Sequence, residues 1–297
     1  MNQTTAFLKR HSLVIGILLM FALTWPIDLA NSGVLPIKFP FVVYLFLGWG
    51  FGIASLIMTG LTLGRDAVIT LLKRFLIWRV GWKWYLAPFL LAPALIVGGV
   101  YLNAALTRVP PGFSTVMAHR IFGESAYLPL FILPFFLVDF IANGEEIGWR
   151  GYVLPRLQAK YGALTSALIV GVIWGLWHLP KYLSHWDIVS FAWFMAHTTI
   201  VSVIYTWLYN GTKGSLLLVT LFHAATNTTG VFMPMANTVS SGNMGAYIMY
   251  ILLEMAAAII IVIATGPERL SRTESMQVLK PSSALPDQIS RSVSTRV

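Results

Sequence analysis

Eight long apolar stretches alternate with short polar ones along most of the chain. They run at about Leu13–Ala30, Phe39–Leu63, Trp84–Leu102, Tyr127–Asn143, Ala163–Leu179, Ile188–Leu208, Ser215–Met235 and Met244–Thr265. A helix rising 1.5 Å per residue needs roughly 20 apolar residues to cross a bilayer core about 30 Å thick. The pattern therefore predicts an all-α, polytopic membrane bundle of about eight transmembrane helices within residues 1–265. The stretch Arg108–Glu124 is polar and contains Gly and Pro, so a loop or a short interfacial helix is expected there. Residues 266–297 are rich in Ser, Arg and Pro without an apolar period and read as a soluble, disordered tail. No internal repeat is visible.

The first stretch follows Lys9 and Arg10, as the core of a signal peptide would. It is long, however, and ends in Trp25, Pro26 and Asp28 without a small-x-small cleavage site, so a retained helix is expected.

Composition removes the soluble alternatives. Apolar residues make up 57% of the 297 and charged residues 10%, against about 45–50% and about 25% in soluble domains. So few charges cannot cover a water-facing surface of this size. A soluble enzyme, a disordered chain and a nucleic-acid binder are excluded, and membrane lipid becomes the first partner. The net charge of +9 then reports orientation. With eight spans and both termini inside, sixteen of the twenty cations fall in inner segments, and only Lys38, Arg108, Arg120 and Lys181 fall outside. That asymmetry fits the positive-inside rule and predicts an integral multi-pass protein of a bacterial cell membrane with cytoplasmic termini. With no cysteine, disulfides, thiolate nucleophiles and Cys-based metal sites are absent.

Ionisable groups inside lipid are costly, which makes them candidates for function. Asn143-Gly144-Glu145-Glu146-Ile147-Gly148-Trp149-Arg150 holds the densest set. On a helix Glu146 and Arg150 stand at i,i+4 and can pair, with Asp139 seven residues earlier on the same face. Glu145 is turned about 100° away, without a local cation, as a general base would be. The alternative is a water-exposed helix end. His178 closes the fifth stretch before Pro180, where a lone His flanked by Trp is more often an interfacial belt residue than a catalyst. His223 and Asn227 share a face at i,i+4 in the seventh, where they could also simply bond between helices. His197 and Glu254 lie in the sixth and eighth stretches. A carboxylate, two imidazoles and a carboxamide on three helices could activate water and hold an oxyanion, the two needs of peptide hydrolysis. His-Glu-x-x-His, Gly-x-Ser-x-Gly and Gly-x-Gly-Asp are all missing, so zinc, serine and aspartyl intramembrane sites of those kinds lack support. Asp28, Asp139 and Glu254 are scattered and expected at helix ends or paired with polar groups.

Glu145-Glu146-x-x-x-Arg150, Trp174-x-x-x-His178 and His223-x-x-x-Asn227, in that order on separate helices, resemble the motifs of the CPBP (CAAX protease and bacteriocin-processing, or Abi) intramembrane proteases. Trp149-Arg150-Gly151-Tyr152 and Trp177-His178-Leu179-Pro180 add to the likeness. It covers about residues 135–235, with a protease core expected at about 125–240; Trp174 stands where the family usually has Phe. The resemblance implies an endopeptidase acting on a membrane-associated peptide, such as a prenylated or bacteriocin-like substrate. Glu145 and His178 would activate water, His223 and Asn227 would hold the oxyanion, and Glu146 and Arg150 would support the site. A metal-free reaction is favoured. The sequence also permits zinc, which Glu145, His178 and His223 would hold. The competing reading is a transporter or scaffold whose polar residues are structural; the missing repeats speak against a transporter.

Overall fold

In the computed structural model, residues 3–112, 117–123, 126–183, 187–235 and 244–272 are described. Among them four helices are long and apolar enough to cross a membrane: α1 (Ser12–Asn31), α3 (Trp82–Thr107), α6 (Ile188–Gly211) and α8 (Gly245–Thr265). Four shorter apolar helices alternate with these: α2 (Trp49–Leu63), α4 (Pro129–Ala142), α5 (Ala163–Trp177) and α7 (Leu216–Phe232). Each of the eight falls within or across one predicted stretch, and the all-α bundle is as expected. Its outside is apolar, with Leu18, Ile57, Leu133, Ile260 and Ile263 all exposed. Its inside holds buried polar groups, among them Glu146, Arg150, His223 and Glu254. This distribution suits a solvent of lipid.

Small residues set the helix spacing. A Cβ on Gly171 of α5 would lie 2.5 Å from Thr199 Cα of α6, and one on Gly99 of α3 would lie 2.7 Å from Tyr250 Cα of α8. At both crossings the backbones touch because no side chain intervenes.

The fourth helix lies where expected, but the helical face expected to continue from Asp139 to Glu146 needs correction. The helix stops at Ala142, Asn143 turns to φ −85° and ψ 93°, and after Gly144 the chain coils again through Ile147–Val153, a π-helical run, and Leu154–Gln158. Asp139 and Glu146 therefore do not share a face of one continuous helix. The break is satisfied locally: Glu145 N–H donates to Asn143 Oδ1 at 3.0 Å, and Trp49 Nε1 donates to the Ile141 carbonyl at 2.9 Å. Non-helical backbone survives in lipid only when its polar groups find such partners. Gly144 is required by contact, since its Cβ would lie 2.7 Å from Trp49 Cα and 2.8 Å from Gly48 O. Because backbone cannot yield as a side chain can, Gly144→Ala is expected to cost about 1–3 kcal/mol. Thermal unfolding in detergent measures it; an unchanged midpoint would contradict the close approach.

The segment expected as a charged inner loop is thus mostly core. Residues Ile147–Val153 are all buried, and Arg150, counted above as a loop cation, is fully enclosed. Arg74 is buried too and donates to the Tyr209 hydroxyl. Tyr152 bonds the Ser12 carbonyl, Ala163 N–H bonds Glu268 O, Asn210 bonds Arg269 O, and Ser215 bonds Ile77 O. These contacts bring both ends of the described chain to one end of the bundle, as an even number of crossings requires. Met117–Phe122 forms a short helix inside the expected loop region. The tail beyond residue 272 lies outside the described residues.

Candidate active site

The 145–158 segment and α5 run as a hairpin around the turn at residues 159–162. Glu145 lies roughly 20 Å up one arm and His178 the same distance up the other, at 1.5 Å per residue. The expected boundaries would have set these residues at opposite ends of their helices; continuation of the chain to Gln158 removes the mismatch. α7 starts from the same end of the bundle, since Ser215 is bonded to Ile77. Its His223 and Asn227 reach comparable depth.

Hydrogen bonds then tie the four elements together. Trp174 Nε1 donates to Glu145 Oε2 at 2.9 Å, so the half-buried Glu145 has a neutral indole as partner rather than a cation. His178 Nδ1 lies 2.9 Å from the Trp174 carbonyl. A carbonyl can only accept, so Nδ1 carries the proton and Nε2 is left as a lone-pair acceptor. His178 is buried, not an interfacial belt residue.

Glu146 and Arg150 are both fully buried and paired, Arg150 Nη1 donating to Glu146 Oε1 at 2.9 Å. The same oxygen accepts from His223 Nδ1 at 2.9 Å. The guanidinium is further sandwiched, 4.0 Å from the Tyr205 ring centroid and 4.7 Å from that of Trp174, and Nη2 reaches Ser202 Oγ at 3.4 Å. A buried pair survives only with such additional contacts, because desolvation otherwise exceeds the attraction. Asn227 Nδ2 donates to both oxygens of Asp139, at 3.2 and 3.3 Å. Asp139 thus orients Asn227.

Trp174, His178, His223, Asn227 and Asp139 line one cavity of about 380 Å³. Glu145 is not in its wall; Trp174, which is, holds the carboxylate from behind. Sequence reasoning kept Trp174 only as an aromatic and left Asp139 among the scattered acids. Neither bond has a signature along the chain, because donor and acceptor are far apart in sequence. His197 and Glu254, noted only as intramembrane polar residues, form a pair at 2.8 Å, and His197 lines the same cavity.

Among the described residues no group of three or more His, Asp or Glu side chains could hold a metal ion. His223 and His178 each use Nδ1 in a hydrogen bond, which leaves Nε2 as the second ring nitrogen of both, and Glu145 is engaged by an indole.

Residues 125–229 match the family described as type II CAAX prenyl endopeptidase, Rce1-like. Over 148 residues the chain is 28% identical to CAAX prenyl protease 2 of Methanococcus maripaludis, covering 47% of this chain and 52% of that protein. The chain spans about half the length of the curated relative it matches. The matched region contains Glu145, Glu146, Arg150, Trp174, His178, His223 and Asn227. Through residues 125–229, this chain is thus similar to the Rce1-like, CAAX-type protease family.

Proposed function

We propose that the protein is an intramembrane endopeptidase that hydrolyses a peptide bond of a membrane-associated substrate, in the first instance a prenylated peptide. A bacteriocin-like peptide is the other substrate class the resemblance implies. The observation that carries this reading is the convergence of His178, His223 and Asn227 around one cavity, with Glu145 bonded to Trp174 of its wall. A scaffold would need the helix contacts but not a cavity with an imidazole Nε2 in its wall.

Water enters the cavity beside His178 Nε2. Glu145 is general base through the oxygen that Trp174 does not hold, and contacts of this kind tighten when substrate is bound. The water oxygen bonds to the scissile carbonyl carbon, and its proton passes to Glu145, with His178 accepting a hydrogen bond. The carbonyl electron pair moves to oxygen, and His223 Nε2–H and the Asn227 amide donate to that oxyanion. His223 does this as imidazolium, its Nδ1–H committed to Glu146. Collapse breaks the C–N bond as Glu145 returns its proton to the leaving amine. No metal takes part. We infer that the end of the bundle holding both ends of the described chain faces the cytoplasm.

Purified protein in proteoliposomes, given a prenylated peptide and analysed by mass spectrometry, tests the activity. Cleavage by wild type and none by Glu145→Gln is expected. Treatment with a strong zinc chelator is expected to leave the rate within about twofold, where loss of a catalytic metal costs several kcal/mol. A rate abolished by chelation and restored by zinc would overturn the metal-free mechanism.

A further inference from the structure

At the end of the bundle that holds both ends of the described chain, Arg74 is a buried cation without a carboxylate. It follows the amphipathic helix Arg65–Lys73 and is 8% exposed. Its Nη1 donates to the Tyr209 hydroxyl near the end of α6, and the guanidinium lies 5.7 Å from that ring's centroid. Ser215, just before α7, bonds the Ile77 carbonyl, so Arg74 sits where residues 71–77 cross the ends of α6 and α7. Residues 67–123 and 188–253, which supply both sides of this crossing, contain no Asp or Glu. Among the described residues the buried ion pairs lie elsewhere, and none includes Arg74. Burial pushes its guanidinium below the ordinary arginine value, with no opposite charge to offset the shift. Nε and Nη2 have no partner among the described residues and, unlike Nε of Arg150, are not sealed inside the protein. A tyrosine hydroxyl is a neutral acceptor and does not replace the hydration that a buried cation loses.

We propose that Arg74, held in place by Tyr209, binds the phosphate group of an anionic phospholipid. With Nη1 fixed by the hydroxyl, Nε and Nη2 form the free edge of the planar guanidinium. Two parallel donors on that edge match two phosphate oxygens, which a lysine at this position could not do. The surroundings select a lipid over a free anion. Leu76, Trp78 and Trp82 are exposed beside Arg74 and offer acyl chains an apolar wall, and Arg79 lies over the Trp78 ring at 4.8 Å. Lys73 and Lys213 are exposed cations on the two sides of the crossing. Tryptophan mixed with basic side chains is the composition of headgroup depth. Anionic lipids are concentrated in the cytoplasmic leaflet, and basic pockets between helices on that side take their headgroups. This matches the orientation inferred above. Leu71 packs against Gly151, where a Cβ would lie 2.8 Å from its Cδ1. A lipid on Arg74 would therefore brace the base of the hairpin that carries Glu145 and His178.

The test follows the melting temperature of the full chain, delipidated in neutral detergent, as phosphatidylglycerol, phosphatidylcholine or inorganic phosphate is added. At about ten times its Kd, phosphatidylglycerol should raise Tm by roughly 2–5 °C. Phosphatidylcholine, whose phosphate is neutralised within its own headgroup, and inorganic phosphate should raise it far less at the same concentration. In Arg74→Gln the phosphatidylglycerol shift should vanish. Without lipid that variant should melt no lower than wild type, because an uncompensated charge has been removed. In Arg79→Gln, which changes an exposed cation, the shift should persist. Arg74→Lys decides the matter if the Gln variant does not fold. It keeps the charge but not the fork, so the midpoint of the phosphatidylglycerol titration should rise about tenfold. A full shift in Arg74→Gln, an unchanged midpoint in Arg74→Lys, or no shift of wild type would overturn the assignment. A full shift of wild type by inorganic phosphate would overturn the lipid as the source of the phosphate group.

Discussion

Glu145→Gln should lower cleavage by about 10²–10⁴-fold, the range that general-base catalysis contributes. The substitution separates chemistry from structure. Gln keeps the shape of Glu, and its carbonyl oxygen can still accept the 2.9 Å bond from Trp174 Nε1. The Asn143 turn uses only the backbone N–H of residue 145 and is untouched. Insertion, detergent extraction and unfolding temperature should therefore match wild type while turnover is lost. Glu146→Gln gives the contrast. Its Oε1 serves both Arg150 and His223, so that variant should lose stability as well as activity. Full turnover by Glu145→Gln would remove the proposed mechanism whatever the fate of Glu146.

Arg150→Met is expected to destabilise the folded protein by roughly 3–5 kcal/mol, the cost of breaking a buried pair by removing one partner. Glu146 is fully buried and would keep only His223 as a donor. The lost stacking on Tyr205 and Trp174 adds to the cost, because Met replaces the volume but not the charge. Arg150→Lys should fall between the two. It restores a cation but not a planar group that can lie between two rings while donating to Glu146 and Ser202. Unfolding monitored by tryptophan fluorescence in detergent gives both values. Stability equal to wild type in Arg150→Met would mean that the pair contributes no net energy, as some buried pairs replaced by apolar groups do.

Much of the architecture is legible along the chain because lipid imposes a one-dimensional rule. Backbone groups that cannot reach water must be bonded within their own helix, so hydropathy alone locates the crossings. The i,i+4 relation likewise makes Glu146–Arg150 readable before any fold is known. The rule fails at Asn143–Gly144. There the hydropathy pattern ends the fourth crossing, whereas the chain breaks and continues to Gln158. Arg150 looks like a loop charge for the same reason: its partner ring from Tyr205 and its acceptor's second donor from His223 are invisible along the chain.

The amino-acid order by itself determined the membrane class, the number of apolar helices and the residue types available for chemistry, because each depends on local composition or on separations of a few residues. Tertiary structure alone decided the depth of Glu145 relative to His178 and the commitment of Trp174 to Glu145 and Asp139 to Asn227. It also decided the placing of His197 and Glu254 in the wall of the same cavity. Those facts depend on which helix faces which. Contacts at Gly99, Gly144 and Gly171, where backbones meet without a side chain between them, set that arrangement.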